Sequence, residues 1–324
     1  MTYALPAPRR PRLRTTGPVW VVLRLHRVAL WTWTAVVVAS VLVLLWLYGP
    51  GADAALRHLA ACTAPGCEPV GGAWGRYKDL YELTAAPIAA APYAATILMG
   101  GICIGRELER GTAQLMWAQA LSPARWLATT LAVPTAWFTA GMVPLVALHH
   151  LVWSSGPLPR RDLPWHDPDL FATTGTLPLT RVLLGLALGA LAGVLYRRAA
   201  TGGLAGIAVL LVTGVLGMRY RASLWPTATD TGLKALRPPS DAHVLEHGAV
   251  LRSTGERIGN NWACVDADSA ADLRRCTEQF KDFWVTYHPA SHYWPIQLLE
   301  SAVVLALTGA VVAVAFRVLR KHAP

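Results

Sequence analysis

The chain has 324 residues, 54% of them hydrophobic and 15% charged, with a formal net charge of +10. It carries no Gly-x-x-x-x-Gly-Lys-Ser/Thr phosphate loop and no Gly-x-Ser-x-Gly nucleophile elbow, which removes those routes to ATP hydrolysis and acyl transfer. The positive excess gives no reason to propose nucleic acid, because it gathers on one side of a membrane plan.

In chain order, Arg9, Arg10, Arg12 and Arg14 lie among Pro8 and Pro11 and read as a disordered basic arm. Gly17 to Val28 mixes Trp20, Val21, Leu25 and Val28 with Arg24 and Arg27. It is too charged to extend a span and suits a helix lying in the cytoplasmic interface, so residues 1–28 form an arm and an interfacial helix. Ala29 to Tyr48 then runs 20 residues without a charge. At about 1.5 Å rise per residue, roughly 20 apolar residues cross a hydrocarbon core about 30 Å thick. Thr84 to Gly105, Trp126 to Leu148 and Ala199 to Met218 are also uncharged. Val182 to Tyr196 is shorter, and reaches Leu177 if Arg181 snorkels to the interface. Trp294 to Phe316 contains a single acid, Glu300. Backbone groups in lipid must bond internally, and long apolar runs do so as helices. The expected fold is an all-α polytopic membrane protein with six transmembrane helices. Spans one to five occupy 29–218, an outer cap 219–293, and the sixth span with a basic tail 294–324. Pro87, Pro92, Pro134 and Pro144 predict kinks in the second and third spans. His149 and His150 end the third span, where such a pair could bind metal but interfacial histidines more often simply meet water.

Charge orients the plan. With both termini cytoplasmic, the inner segments 1–28, 105–125, 197–198 and 317–324 hold 14 Arg and Lys against two acids, Glu107 and Glu109. The positive-inside rule is then satisfied, and anionic inner-leaflet lipid is a natural partner. Cysteine placement agrees with an outer, oxidising side. Cys62 and Cys67 fall in the first outer loop and Cys264 and Cys276 in the last, which suggests two disulfides, while Cys103 stands alone inside the second span.

The inner loop 105–125 is too charged for lipid. Arg106 to Arg110 continue the second span into water, Gly111 breaks the helix, and a short helix runs from Thr112 to about Leu121. Ser122 and Pro123 then restart the third span as N-cap and first helical residue. Gly185, Gly189 and Gly193 in the fourth span, and Ala302, Ala306 and Ala310 in the sixth, let helices approach closely, within one chain or between two. Glu300 lies about 10 Å below the outer interface, where an acid marks either a substrate path or an ion pair with a residue such as Arg181. In the cap, Leu273, Cys276, Phe280 and Trp284 recur at helical spacing, predicting a small, disulfide-pinned, partly helical unit. His243, Glu246 and His247 spell the inverted zinc-peptidase motif, which needs a helix and a further acidic ligand. No obvious scaffold surrounds it, and no metal site is assigned.

Glu107-Leu-Glu109-Arg-Gly111-Thr112, followed by Gln119 and Ser122-Pro-Ala-Arg125-Trp126, resembles the cytoplasmic loop of bacterial ABC-2 type transporter permeases. The run from Tyr287-His-Pro289 to Trp294-Pro-Ile-Gln297-Leu-Leu-Glu300 resembles the entry to the last span in one subgroup of them. The likeness implies the membrane subunit of an ATP-driven exporter in the plasma membrane, two copies pairing with two separate ATPase subunits. The loop would then be a coupling helix seated in the ATPase, with Arg106, Glu107, Glu109, Arg110, Gly111, Thr112, Leu115 and Trp117 as its contact set. ATP and Mg would reside on the partner, and this chain would need no cofactor of its own. Two other classes stay open: a non-transporting scaffold or sensor whose cap binds a ligand, and a zinc peptidase.

Overall fold

The computed structural model describes residues 18–62, 71–119, 121–156, 158, 163–259, 264 and 269–322. The basic arm with Arg9 to Arg14, and Cys67, lie outside these residues. Among the described residues, six helices are long and apolar enough to cross a membrane: Arg27–Ala61, Gly72–Glu109, Pro123–Ser155, Leu177–Tyr196, Ala199–Ser223 and Ala290–Lys321. They are spans one to six below. A separate helix, Pro18–Leu25, precedes the first span and breaks at His26.

Several spans extend past the uncharged runs. The second helix begins at Gly72, so Arg76, Lys78, Asp79 and Glu82 ride on it before the apolar stretch. It passes unbroken through Pro87 and Pro92, and the third is likewise continuous through Pro134 and Pro144. Each proline omits one bond of the hydrogen-bond ladder without ending the helix, and the ladder changes elsewhere too. It widens to π geometry at Leu98–Gly105, a stretch that holds Gly100, Gly101 and Gly105. A second widening, at Leu47–Gly51, contains the non-helical Gly49 just before Pro50 and bends the end of the first span.

The fourth span is the hub, buried along most of its length between the second, fifth and sixth. Its glycine stripe is spent inside the chain. A Cβ at Gly189 would stand 2.6 Å from the carbonyl oxygen of Thr96, and one at Gly193 would stand 2.9 Å from Ile104. Gly100 would meet the carbonyls of Gly189 and Gly202 at 2.9 and 3.0 Å. Spans two, four and five therefore touch backbone to backbone, a distance only hydrogen side chains permit. In the sixth span Ala302, Ala306 and Ala310 are instead exposed on the outside of the bundle.

The cap corrects the all-α expectation. It contains a four-stranded antiparallel sheet in the order β1-β4-β2-β3, formed by Ala228–Thr231, His243–Leu251, Arg257–Gly259 and Phe280–His288 (β1, β2, β3 and β4 in chain order). A helix is present at Ala270–Glu278, capped by Ser269, and the Cys264–Cys276 disulfide ties it down. It ends at Gln279, however, so Phe280 and Trp284 belong to β4 and not to the helix. Phe-Lys-Asp-Phe-Trp-Val-Thr-Tyr-His is rich in β-branched and aromatic residues that pack well on a pleated surface, and its pairing with β2 from Phe280 onward ends the helix there. Phe280, Phe283, Val285 and Tyr287 join Ala249, Ala235 and Leu236 in a small core of its own.

Candidate functional site

The loop between spans two and three is built as helix, break, helix, restart. Arg106–Glu109 ends the second span, Gly111 takes φ of 75°, and a second helix runs Thr112–Gln119. Only glycine adopts that left-handed backbone without strain, which is why the chain turns there. The Thr112 hydroxyl donates to the Glu107 carbonyl across the break at 3.1 Å. Ser122 then accepts from the backbone N–H of Arg125, with Pro123 opening the third span.

Both acids of this loop are engaged within the chain. Glu107 Oε2 accepts from the indole N–H of Trp126 at 3.2 Å, which joins the loop to the third span. Glu109 Oε2 accepts from the backbone N–H of Ala199 at 3.0 Å, at the N-terminus of the fifth span. That N–H has no partner within its own helix, and a carboxylate there also meets the positive end of the helix dipole. Trp117 turns inward, its ring edge-on to Trp126 with centroids 5.6 Å apart. What remains outward is Arg106, Arg110, Thr112, Gln114 and Leu115, the last 63% exposed. The sequence set of eight residues is thus brought together, but it divides into an inner group that fastens the loop and an outer group that is free to meet a partner.

A model of the family described as ABC-2 membrane transporter related matches residues 34–225. The chain belongs to that family. Family members are membrane components without a nucleotide-binding domain of their own. The matched stretch runs from inside the first span to just beyond the fifth, so it includes the whole 106–126 loop, while all four cap strands and the sixth span lie outside it. Searches of curated proteins and of solved structures found no match to this chain.

A second feature of this ABC-2 related chain lies near the opposite end of the spans. A cavity of roughly 520 Å³ opens between spans two, four, five and six, with Tyr93, Leu184, Gly214, Val303 and Leu307 among its mostly apolar walls. Glu300 lines it, 4% exposed, and so does Arg181. The ion pair considered from sequence exists, with Arg181 Nη2 3.3 Å from Glu300 Oε1. Sequence reasoning missed the second partner: Arg221 Nε lies 2.9 Å from Glu300 Oε2. The Arg221 guanidinium also stacks 4.0 Å above the Phe171 ring, and its Nη2 is buried without a hydrogen-bond partner among the described residues. Its position at the very end of the fifth span was the available signal, since a basic residue there is within reach of an acid about 10 Å deep.

Beside it is a smaller cavity of about 170 Å³, lined by Arg221, His166, His243 and His288. The His166 and His243 rings stack 4.6 Å apart and nearly parallel. Burial, and then the neighbouring His166, push the His243 pKa down to about 4, so it is neutral in ordinary buffers. His243 lies on β2 and not on a helix, which removes the peptidase reading. Four residues along a strand separate His243 from His247 by about 13 Å, against about 6 Å on a helix, too far for one ion to hold both. His149 does not meet water either: it is fully buried, stacked on Tyr81 at 4.2 Å and 3.2 Å from the Thr84 hydroxyl. Span three runs on to Ser155, so position 149 is interior and no longer at an end.

Proposed function

We propose that the chain is the permease subunit of an ATP-driven exporter, energised by a separate ATPase that seats the 106–119 loop. It sits in a bacterial plasma membrane with both termini cytoplasmic and works as two copies with two ATPase subunits, which hold the ATP and Mg. The observation that carries this reading is the double fastening of the loop by Glu107 and Glu109. A push on the outer face, at Leu115, Arg106 and Arg110, is passed to spans two, three and five together, because the loop cannot move without Trp126 and Ala199. Leu115 supplies an apolar anchor, and the two arginines suit an acidic rim on the partner. The exposed alanine row of the sixth span and the outward faces of the fifth leave room for lipid and a second copy.

Affinity purification of the full chain in mild detergent tests the proposal directly. A nucleotide-hydrolysing subunit should co-purify, and Leu115→Asp should release it. Labelling of Gln114→Cys by an impermeant thiol reagent from outside intact cells would overturn the orientation. Purification without any ATPase would favour a scaffold or sensor that reads a ligand through the cap.

A further inference from the structure

The large cavity between spans two, four, five and six combines two features seldom found together in a bundle. Its walls are apolar and it faces the hydrocarbon depth of the sixth span, yet Arg181 and Glu300 line it, and Arg221, on the wall of the smaller cavity, pairs with Glu300 from the other side. Two guanidiniums stay charged, and one carboxylate cannot neutralise both, so the cluster carries a residual charge of about +1. Arg221 is the nearer partner of Glu300, at 2.9 Å against 3.3 Å for Arg181, so the spare charge falls on the arginine that lines the large cavity. A buried positive charge without a full counter-charge is costly, and an anionic oxygen beside Arg181 would remove that cost.

We propose that this cavity binds an amphiphile with a single anionic head group and an extended apolar body. The head docks against Arg181, and the body lies along Gly214, Val303 and Leu307. Glu300 acts as a positioning residue: it holds both guanidiniums in place, at 3.3 and 2.9 Å, and offsets the repulsion between them. As a statement about cargo this rests on the permease reading above, whereas binding itself can be measured without any ATPase. The same chemistry could come from the anionic phospholipid of the membrane or from a free fatty-acid-like molecule.

The test uses the full-length chain in zwitterionic nanodiscs and a fluorescent probe, 11-(dansylamino)undecanoic acid. Saturable binding is expected, with undecanoate competing and its methyl ester at least about tenfold weaker, as a lost charged hydrogen bond requires. Arg181→Gln should weaken the probe by about tenfold or more. Gly214→Leu should do so as well: a Cβ at Gly214 meets nothing within 4 Å, so the leucine projects into the cavity without disturbing the fold or the ion cluster. Competition by phosphatidylglycerol nanodiscs would assign the site to membrane lipid, and its absence to a free amphiphile. Equal competition by the methyl ester, equal binding of an alkylamine, or unchanged affinity in Gly214→Leu would each overturn the proposal. An ATPase that co-purifies with a chain showing no such binding would leave the permease reading standing and remove this one.

Discussion

Glu109, at the last turn of the second span, caps the first residue of the fifth: its carboxylate accepts the Ala199 backbone N–H at 3.0 Å, across 90 residues of sequence. The contact joins the loop between spans two and three to a helix that walls the cavity at its far end. Glu109→Ala should remove the cap, costing about 1 kcal/mol at that helix end. Transport per ATP should fall while ATPase binding is kept, and Glu109→Gln, whose amide oxygen still accepts, should stay near wild type. Coupled transport and ATPase assays on the complex read the difference.

Leu115 and Trp117 sit two residues apart and should behave oppositely. Leu115→Asp acts on an exposed side chain, so thermal stability should be unchanged while ATPase co-purification is lost. Trp117→Ala removes the ring against Trp126 and should destabilise the loop by about 1–3 kcal/mol. Melting curves beside pull-downs separate the two.

Gly100 tolerates no side chain. A methyl group there would press on two backbone carbonyls at about 3 Å, and backbone cannot rotate aside as a side chain can. Gly100→Ala should cost about 1–3 kcal/mol of bundle stability. Gly214→Ala, in open space, should be neutral or slightly stabilising by helix propensity. Detergent-solubilised thermal unfolding is the check.

Breaking Cys264–Cys276, which closes a loop of sequence separation 12, should loosen the cap by about 3 kcal/mol. The cap has its own core, so Cys264→Ser with Cys276→Ser should raise its proteolytic sensitivity and hydrogen exchange while the spans stay protected.

His243 sets a pH window for the cap. The unfolded chain takes up its proton near 6.5, but the folded ring only near 4. Between those values the unfolded state binds more protons, so stability is intact above about pH 6.5 and is lost as pH falls toward 4. His243→Phe should flatten that part of the profile. Cap melting measured from pH 8 to pH 4 decides it, and an unchanged slope in the variant would refute the assignment.

Much of this architecture was legible because it is local. Apolar runs about as long as the membrane is thick demanded helices, a glycine after a charged turn demanded a break, and Ser122-Pro123 demanded a restart. The cap shows the limit of that logic. Leu273, Cys276, Phe280 and Trp284 fit helical spacing, yet the count crossed a helix end at Gln279 that cross-strand pairing with β2 imposed. The glycine stripe of the fourth span was visible too, but not that its partner was the π-widened stretch of the second.

By itself, the order of residues determined six spans, their charge asymmetry, the broken loop and the family resemblance, since each depends on neighbours within a turn or a membrane's thickness. Only the tertiary structure decided that Glu107 and Glu109 fasten the loop inward, that Glu300 holds two arginines from 79 and 119 residues away, and that the cap is a sheet. A carboxylate's partner is whatever donor the packed helices bring within about 3 Å, and nothing in the spacing along the chain encodes that distance.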